Sequence, residues 1–339
     1  MNLHALVDAL RGSPGFAHKR DIGDVMDALG RALPGGVQDM AQAVAIGDDC
    51  AAIADPSGEG WLLLAIEGLV EQFVSRMPWF AGYCGVMVNV SDICAMGGRP
   101  IAVVDALWSE GADASSPVLE GMAAASARYG VPIVGGHSNH RAAHGQLAVA
   151  ILGRAKKLIT SFDAQPGDEL IVAVDLRGAY EEPYPYWNAS TRAPAERLRG
   201  DIELLPQLAE AGLCDAGKDV SMAGLIGTAL MLLECSKVGA TIDLDAVPRP
   251  DAVPLLRWLL SFPSFGYLLS VRPAHADRVL ARFGERHITA VRIGRVTATP
   301  EVWLTLQDER ALLWNVAEQA FILAATPARA EAEAEAEHG

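Results

Sequence analysis

Apolar and polar positions along the chain fall into strand-sized apolar runs and longer mixed segments, punctuated by Gly, Pro and Asp. The first 40 residues read as helical, with a break at Ser13-Pro14-Gly15 and a stop at Pro34-Gly35-Gly36. Residues 44–46 then run into Gly47-Asp48-Asp49, and residues 61–66 form an apolar run of strand length. From Pro78 to Met96, apolar and small residues are too dense for a surface helix, which predicts a helix packed on both sides. Gly97-Gly98-Arg99-Pro100 stops it, and residues 101–107 read as the next strand. A helix over 112–129 closes at Gly130. Strands follow at 131–134, running into Gly135-Gly136, and at 146–153.

The turn Gln165-Pro166-Gly167-Asp168 opens a second half. Strands are predicted at 169–175, 241–244, 267–271 and 289–296. Helices are predicted at 202–211, 223–235, 254–261 and 274–283. Residues 178–200 hold no clear period and read as a loop with a short helix. Strand and helix alternate, with Gly-rich turns at strand ends, so the class is α/β (α+β). The units expected are a helical segment over 1–40, domains over 41–157 and 158–320, and a disordered Glu-Ala tail over 326–339.

Composition narrows the function classes. The 339 residues are 51% hydrophobic and 20% charged, enough for a sizeable core. Lys plus Arg is 27 against 42 Asp plus Glu, a net charge of −15, which argues against a nucleic-acid partner. Five scattered cysteines without CxxC fit a reducing compartment rather than a disulfide framework or zinc ribbon. No run has the length of a membrane span or secretory signal, so a cytoplasmic protein is expected. GxxxxGK[ST], GxGxxG after a strand and GxSxG are all absent.

Several polar clusters sit beside glycine at element ends. Asp48 and Asp49 either hold Mg²⁺, a hard cation that takes oxygen ligands, or form a solvated Asx turn. Glu67 ends an apolar strand and is either a ligand or an exposed turn acid. Asn89 and Asp92 lie in the apolar helix, where an acid is costly unless paired or metal-bound. Gly135-Gly136-His137-Ser138 reads as a turn whose N–H groups could cradle phosphate. His137, His140 and His144 match no usual zinc spacing. Asp219 or Ser221 is expected to cap the following helix, with Asp219 also able to face a metal. Lys19 is a phosphate contact or an exposed lysine. Tyr184, Tyr186, Trp187 and Arg192 mark the 178–200 loop for substrate contacts or for structure alone.

Five segments in order resemble the AIR synthase-related (PurM-like) superfamily, which includes thiamine-monophosphate kinase, selenophosphate synthetase and hydrogenase-maturation proteins. They are GDDCAAI at 47–53, VNVSDICAMGGRP at 88–100, GGHS at 135–138, DVSMAGLIGTALMLLECSKVGATIDLDAVP at 219–248, and FGYLLSV at 265–271 with IGRVT at 293–297. The resemblance implies a two-domain PurM-like fold. Its N-terminal domain would form a homodimer core through residues 61–66 and 101–107, and a cleft would bind ATP and Mg²⁺. Asp48, Asp49, Glu67, Asp92 and Asp219 would be the metal ligands. Asn89, Gly135, Gly136, His137, Ser138 and Lys19 would face the nucleotide. Glu67 stands where the family usually has Asp, and His137 where thiamine-phosphate kinases have Asp. Gly-Gly-His is nearer the selenophosphate synthetase pattern, but the N-terminal reactive Cys of that enzyme is missing. The expected function is Mg²⁺- and ATP-dependent phosphoryl transfer to a small molecule, as a kinase or a ligase/synthetase. The alternative is a silent nucleotide- or metabolite-binding protein.

Overall fold

The computed structural model describes residues 2–32 and 47–323. The expectations for 33–46 and for the 326–339 tail lie outside them.

The N-terminal unit is built on one sheet. Its strands are β1 (Ala51–Ala54), β2 (Trp61–Leu69), β3 (Arg99–Glu110), β4 (Ile133–Asn139) and β5 (Arg141–Ala155), in the order β1-β2-β5-β3-β4. β3 pairs parallel with β4 and the other pairs are antiparallel. Helices α3 (Glu71–Arg76), α4 (Pro78–Ala95) and α5 (Ala112–Tyr129) belong to this unit. α4 lies between the sheet and α5, so nearly its whole circumference is buried. Gly82 and Gly121 make this possible, because a Cβ at either would collide with the backbone of the facing helix.

The period of two along β2 divides its side chains. Leu63 and Ala65 are buried against α4, while Leu64 and Ile66 face outward, half or more exposed. Glu67 falls on the inner face by the same parity. Ile101, Val104, Leu152 and Val134 are also exposed on the neighbouring strands.

The C-terminal unit carries seven strands in the order β15-β14-β10-β13-β6-β12-β9. These are β6 (Glu169–Val174), β9 (Ala216–Asp219), β10 (Gly239–Asp243), β12 (Gly266–Val271), β13 (Thr289–Thr297), β14 (Glu301–Leu306) and β15 (Glu309–Asn315). Its middle strands are covered on both faces. Along β6, Ile171 and Ala173 join the core shared with the N-terminal unit, while Leu170, Val172 and Val174 join the core beneath α8 (Gly224–Cys235). Helices α6 (Ala195–Asp201), α7 (Leu204–Glu210), α9 (Leu255–Leu259) and α10 (Pro273–Gly284) complete the unit, with a small sheet of β7 (Ala179–Tyr180), β8 (Tyr186–Asn188) and β11 (Phe262–Pro263).

The N-terminal helices α1 (Leu3–Arg11) and α2 (Pro14–Ala32) are anchored to the C-terminal unit. Leu3, Leu6, Leu10 and Phe16 enter the core that holds α8, and Arg11 Nε donates to Leu313 O at 3.0 Å. Two readings of the sequence are corrected. Residues 135–138 lie inside strand β4 rather than in a turn. Neither Asp219 nor Ser221 caps α8; the N-cap is Ala223, which makes no side-chain cap. Strands β1, β7, β8, β9, β11, β14 and β15 lie outside the strands predicted from the sequence. Among the described residues, no helix is long and apolar enough to cross a membrane.

Candidate active site

Three tethers bring the acidic segments to one place between the two units. The turn before β1 is tied to the end of α4 by Cys50 N, which donates to Met96 Sδ at 3.1 Å. Asp48 is held by Ser161, whose N and Oγ each donate to it at 2.7 Å. Asp49 receives the Lys218 ammonium on Oδ1 and the Asp219 N–H on Oδ2, the latter at 3.2 Å. Lys218 and Asp219 end β9, a strand that also meets α4, which carries Asp92.

The outcome is a buried group of three carboxylates. Asp49, Asp92 and Asp219 each offer an oxygen, and these atoms lie within 4.8 Å of one another. Among the described residues this is the one such group of potential metal-binding side chains. Asp92 Oδ2 and Asp219 Oδ1 are buried and find no hydrogen-bond partner there. Buried, unpartnered carboxylate oxygens are costly, and a hard divalent cation is the partner that an all-oxygen donor set fits. The donor set therefore suits Mg²⁺.

Charge at the site follows from burial. Burial raises the Asp92 pKa well above normal, and Asp219, Glu67 and Asp49 push it the same way. Asp219 is pushed up to about 7 by burial and then by Asp49, against Lys218 and Lys19. Burial also raises Asp48, with Lys218 and Ser161 opposing it. For Lys218, burial favours the neutral amine, but Asp49 and Asp48 outweigh it, so its pKa is raised and the ammonium persists. No motif in the sequence marks Lys218 as a member of the site. Its side chain is 5% exposed and lies 4.0 Å from Asp48 as well as against Asp49.

The sign of the pH response follows for the metal-free chain. Asp219 is raised from 3.8 to about 7 on folding, so its protonated form is favoured in the native state. This contribution to stability is complete below the unfolded value and is lost as pH rises through the folded one. The melting temperature of the metal-free chain should fall from about pH 5 to about pH 8, and a divalent cation should recover the loss at the upper end. A metal-free melting temperature that rises over that interval contradicts this.

The remaining candidates are placed differently. Glu67 is outside the three-carboxylate group yet close enough for Asp49, Lys19 and Lys218 to act on it. Its pKa is raised by burial first, against the pull of Lys19. Lys19 of α2 also acts on Asp219, so the N-terminal helix brings a cation to the site. Asn89 is fully buried, and its Nδ2 donates to Gly85 O at 2.7 Å and Val149 O at 2.9 Å. That amide fastens α4 to β5, and its Oδ1 is left without a partner among the described residues. Gly135, Gly136, His137 and Ser138 are exposed on β4, at the opposite edge of the sheet from β1. Within one chain they are not brought to the carboxylates. His140 bonds Ser109 Oγ at 3.0 Å and His144 lies 3.3 Å from Glu71, so the histidines form no shared site.

Beside Glu67 a cavity of about 120 Å³ opens between the units. Phe73 and Phe80 reach it from the N-terminal unit, and Tyr186, Trp187 and Phe262 from the small sheet of the C-terminal unit. Of the loop residues singled out in the sequence, Tyr186 and Trp187 line it, and Tyr184 stacks on Tyr186 at 5.1 Å.

Comparison with known proteins covers most of the chain. Residues 47–155 match the AIR synthase related protein N-terminal domain and residues 167–307 its C-terminal domain. The uncharacterized protein sll0787 of Synechocystis is 51% identical, over 92% of this chain and 95% of that protein. Thiamine-monophosphate kinase of Synechococcus elongatus is 28% identical, over 79% of this chain and 88% of the kinase. A structure of T. maritima PurL complexed with ATP superposes with a TM-score of 0.68 at 20% identity. The match spans 95% of this chain and 52% of the PurL chain.

Proposed function

The chain belongs to the AIR synthase-related family, with its two-domain PurM-like fold, and we propose that it is a Mg²⁺- and ATP-dependent phosphoryl-transfer enzyme acting on a small molecule. The observation that carries this reading is the buried Asp49–Asp92–Asp219 group with two unpartnered oxygens. These three carboxylates would hold Mg²⁺, which when bound supplies positive charge to the phosphate oxygens. Asp48 and Ser161 fix the turn that presents Asp49, and Lys218 fixes the Asp49 carboxylate while cancelling one negative charge. Lys19 adds a cation to the same field. In such a transfer the substrate's nucleophilic atom gains the γ-phosphoryl group, ADP departs, and the proton of the nucleophile passes to solvent. The protein's share is positioning and electrostatics.

³¹P NMR of the protein with Mg²⁺, ATP and a pool of small metabolites tests the reading. A new phosphoester signal beside ADP identifies a kinase. Inorganic phosphate in step with a condensed product identifies a ligase or synthetase. Absence of ADP formation despite nucleotide binding favours the silent binder, the reading motivated by Glu67 and His137.

We also propose a homodimer through the outer face of the N-terminal sheet. Leu64 and Ile66 on β2, Leu152 on β5, Ile101 and Val104 on β3, and Val134 on β4 leave large apolar side chains exposed on successive strands, the kind of surface that marks an interface. Ile66→Asp places a charge in that face and should weaken the dimer by about 100-fold or more. Sedimentation velocity reads this directly; a wild-type monomer at micromolar concentration contradicts the proposal.

A further inference from the structure

We infer that the cavity beside Glu67 takes the acceptor substrate, and that this substrate is a flat aromatic or similarly apolar compound. It carries a hydrogen-bond donor and nucleophile (hydroxyl, amine or amide N–H) at one end and no negative charge. The inference rests on the phosphoryl-transfer reading and names the substrate class for it.

The walls set the body of the ligand. Phe73 stands edge-on to Phe80 at 5.9 Å and to Tyr186 at 5.1 Å, and Tyr186 stands edge-on to Phe262 at 6.1 Å. Rings in this arrangement present both faces and edges to an inserted planar group. Cys84, Met87 and Val88 supply the α4 side, all of them neutral. The cavity has room for several water-sized groups and hence for a small ring system.

The polar groups set its orientation. Most of those in the lining are already engaged. Asn188 Nδ2 donates to Glu181 and Thr191, and its Oδ1 accepts from Ser190 N and Thr191 N. Trp187 Nε1 donates to Asp175 O at 3.0 Å. Ser264 Oγ accepts from Ala189 N at 2.9 Å, which leaves its hydroxyl proton to give. Glu67 is the one charged side chain in the lining, and no Lys or Arg lines it. The cations that act on Glu67, Lys19 and Lys218, are outside the lining. An anionic ligand would therefore meet a carboxylate and no cation within the lining, whereas a donor would find the carboxylate as acceptor. The cavity adjoins the acidic group, because Val88 of its lining stands one turn before Asp92 on α4 and Met222 of its lining follows Asp219 by three residues. A donor held at Glu67 is thus the part of the ligand turned toward the phosphate-binding side.

Saturation-transfer NMR on the full chain, with 2-phenylethanol, phenylacetate and sorbitol as probes, tests this. 2-Phenylethanol should bind saturably, phenylacetate roughly tenfold or more weakly because of Glu67, and sorbitol not at all. Val88→Phe grows into the cavity and should abolish 2-phenylethanol binding while the melting temperature is kept. Cys84→Phe fills the same space from one turn away if that variant does not fold. Phenylacetate binding as well as 2-phenylethanol, no binding by either aromatic probe, or binding that survives a folded filling variant overturns the inference. Mg²⁺-dependent binding of the ATP analogue AMPPCP, measured on the same samples, separates the two readings. If AMPPCP binds and the aromatic probe does not, the substrate class is wrong and the nucleotide site stands. If the probe binds and AMPPCP does not, the cavity stands and the phosphoryl-transfer reading falls.

Discussion

Asp92→Asn should stabilise the metal-free chain and at the same time remove its Mg²⁺-dependent response to nucleotide. Asp92 is buried in α4 with Oδ2 unpartnered, and burial, Asp219, Glu67 and Asp49 all oppose its charge. An amide of the same shape removes that opposition at neutral pH, a gain on the order of 1–3 kcal/mol. The same change deletes one of three carboxylates from the metal group. Turnover should fall by about 100-fold or more, as when one electrostatic partner of a transition state is deleted. Urea unfolding of the metal-free variant and its rate of ADP formation check the two halves. A purely structural acid would give destabilisation with unchanged turnover.

Lys218→Met should have the opposite effect on stability. The lysine is the buried counter-charge of Asp49 and Asp48, and its removal leaves those carboxylates with Asp219, Asp92 and Glu67 in one neighbourhood. Breaking a buried pair by deleting one partner costs about 3–5 kcal/mol. The loss should be largest at high pH, where the acids ionise, and millimolar Mg²⁺ should recover part of it by supplying the missing charge. Denaturant midpoints with and without Mg²⁺ measure this. A midpoint unchanged by the substitution would mean that Lys218 compensates nothing in the folded chain.

The elements with strong periodicity or clear stops were legible in the sequence. α5 (Ala112–Tyr129) begins and ends where the pattern and Gly130 put it, and the density of small residues in α4 announced a helix covered on both sides. β9 was missed because Lys218 and Asp219 make it polar, although all four of its residues are buried. Its burial comes from tertiary pairing with β12 and from Asp49, which is 169 residues away from Lys218 in the chain. The hairpin β14–β15 carries the apolar runs Val302-Trp303-Leu304 and Ala311-Leu312-Leu313-Trp314, so it was legible in the pattern and simply not read as strand. Gly135-Gly136 looked like a turn because glycine pairs usually break strands, but β4 pairs with β3 through them. For the site, the types of residue were readable and their grouping was not. Five acids were candidates; the fold gathers Asp49, Asp92 and Asp219, commits Asp48 to Ser161, and places Glu67 in the lining of the aromatic cavity. Lys218 carries no signal of its own in a sequence, since a lone lysine ordinarily marks a solvated surface.

Calorimetric titration of AMPPCP into the wild-type chain, with and without Mg²⁺, and into Asp219→Asn tests the central claim most directly. Binding that requires Mg²⁺ and vanishes in the variant is the predicted result, accompanied at saturation by roughly 2.7 kcal/mol of stabilisation at about a hundred times Kd. Binding of equal strength without Mg²⁺, or unaltered in Asp219→Asn, would contradict the assignment of the buried carboxylates to a metal–nucleotide site.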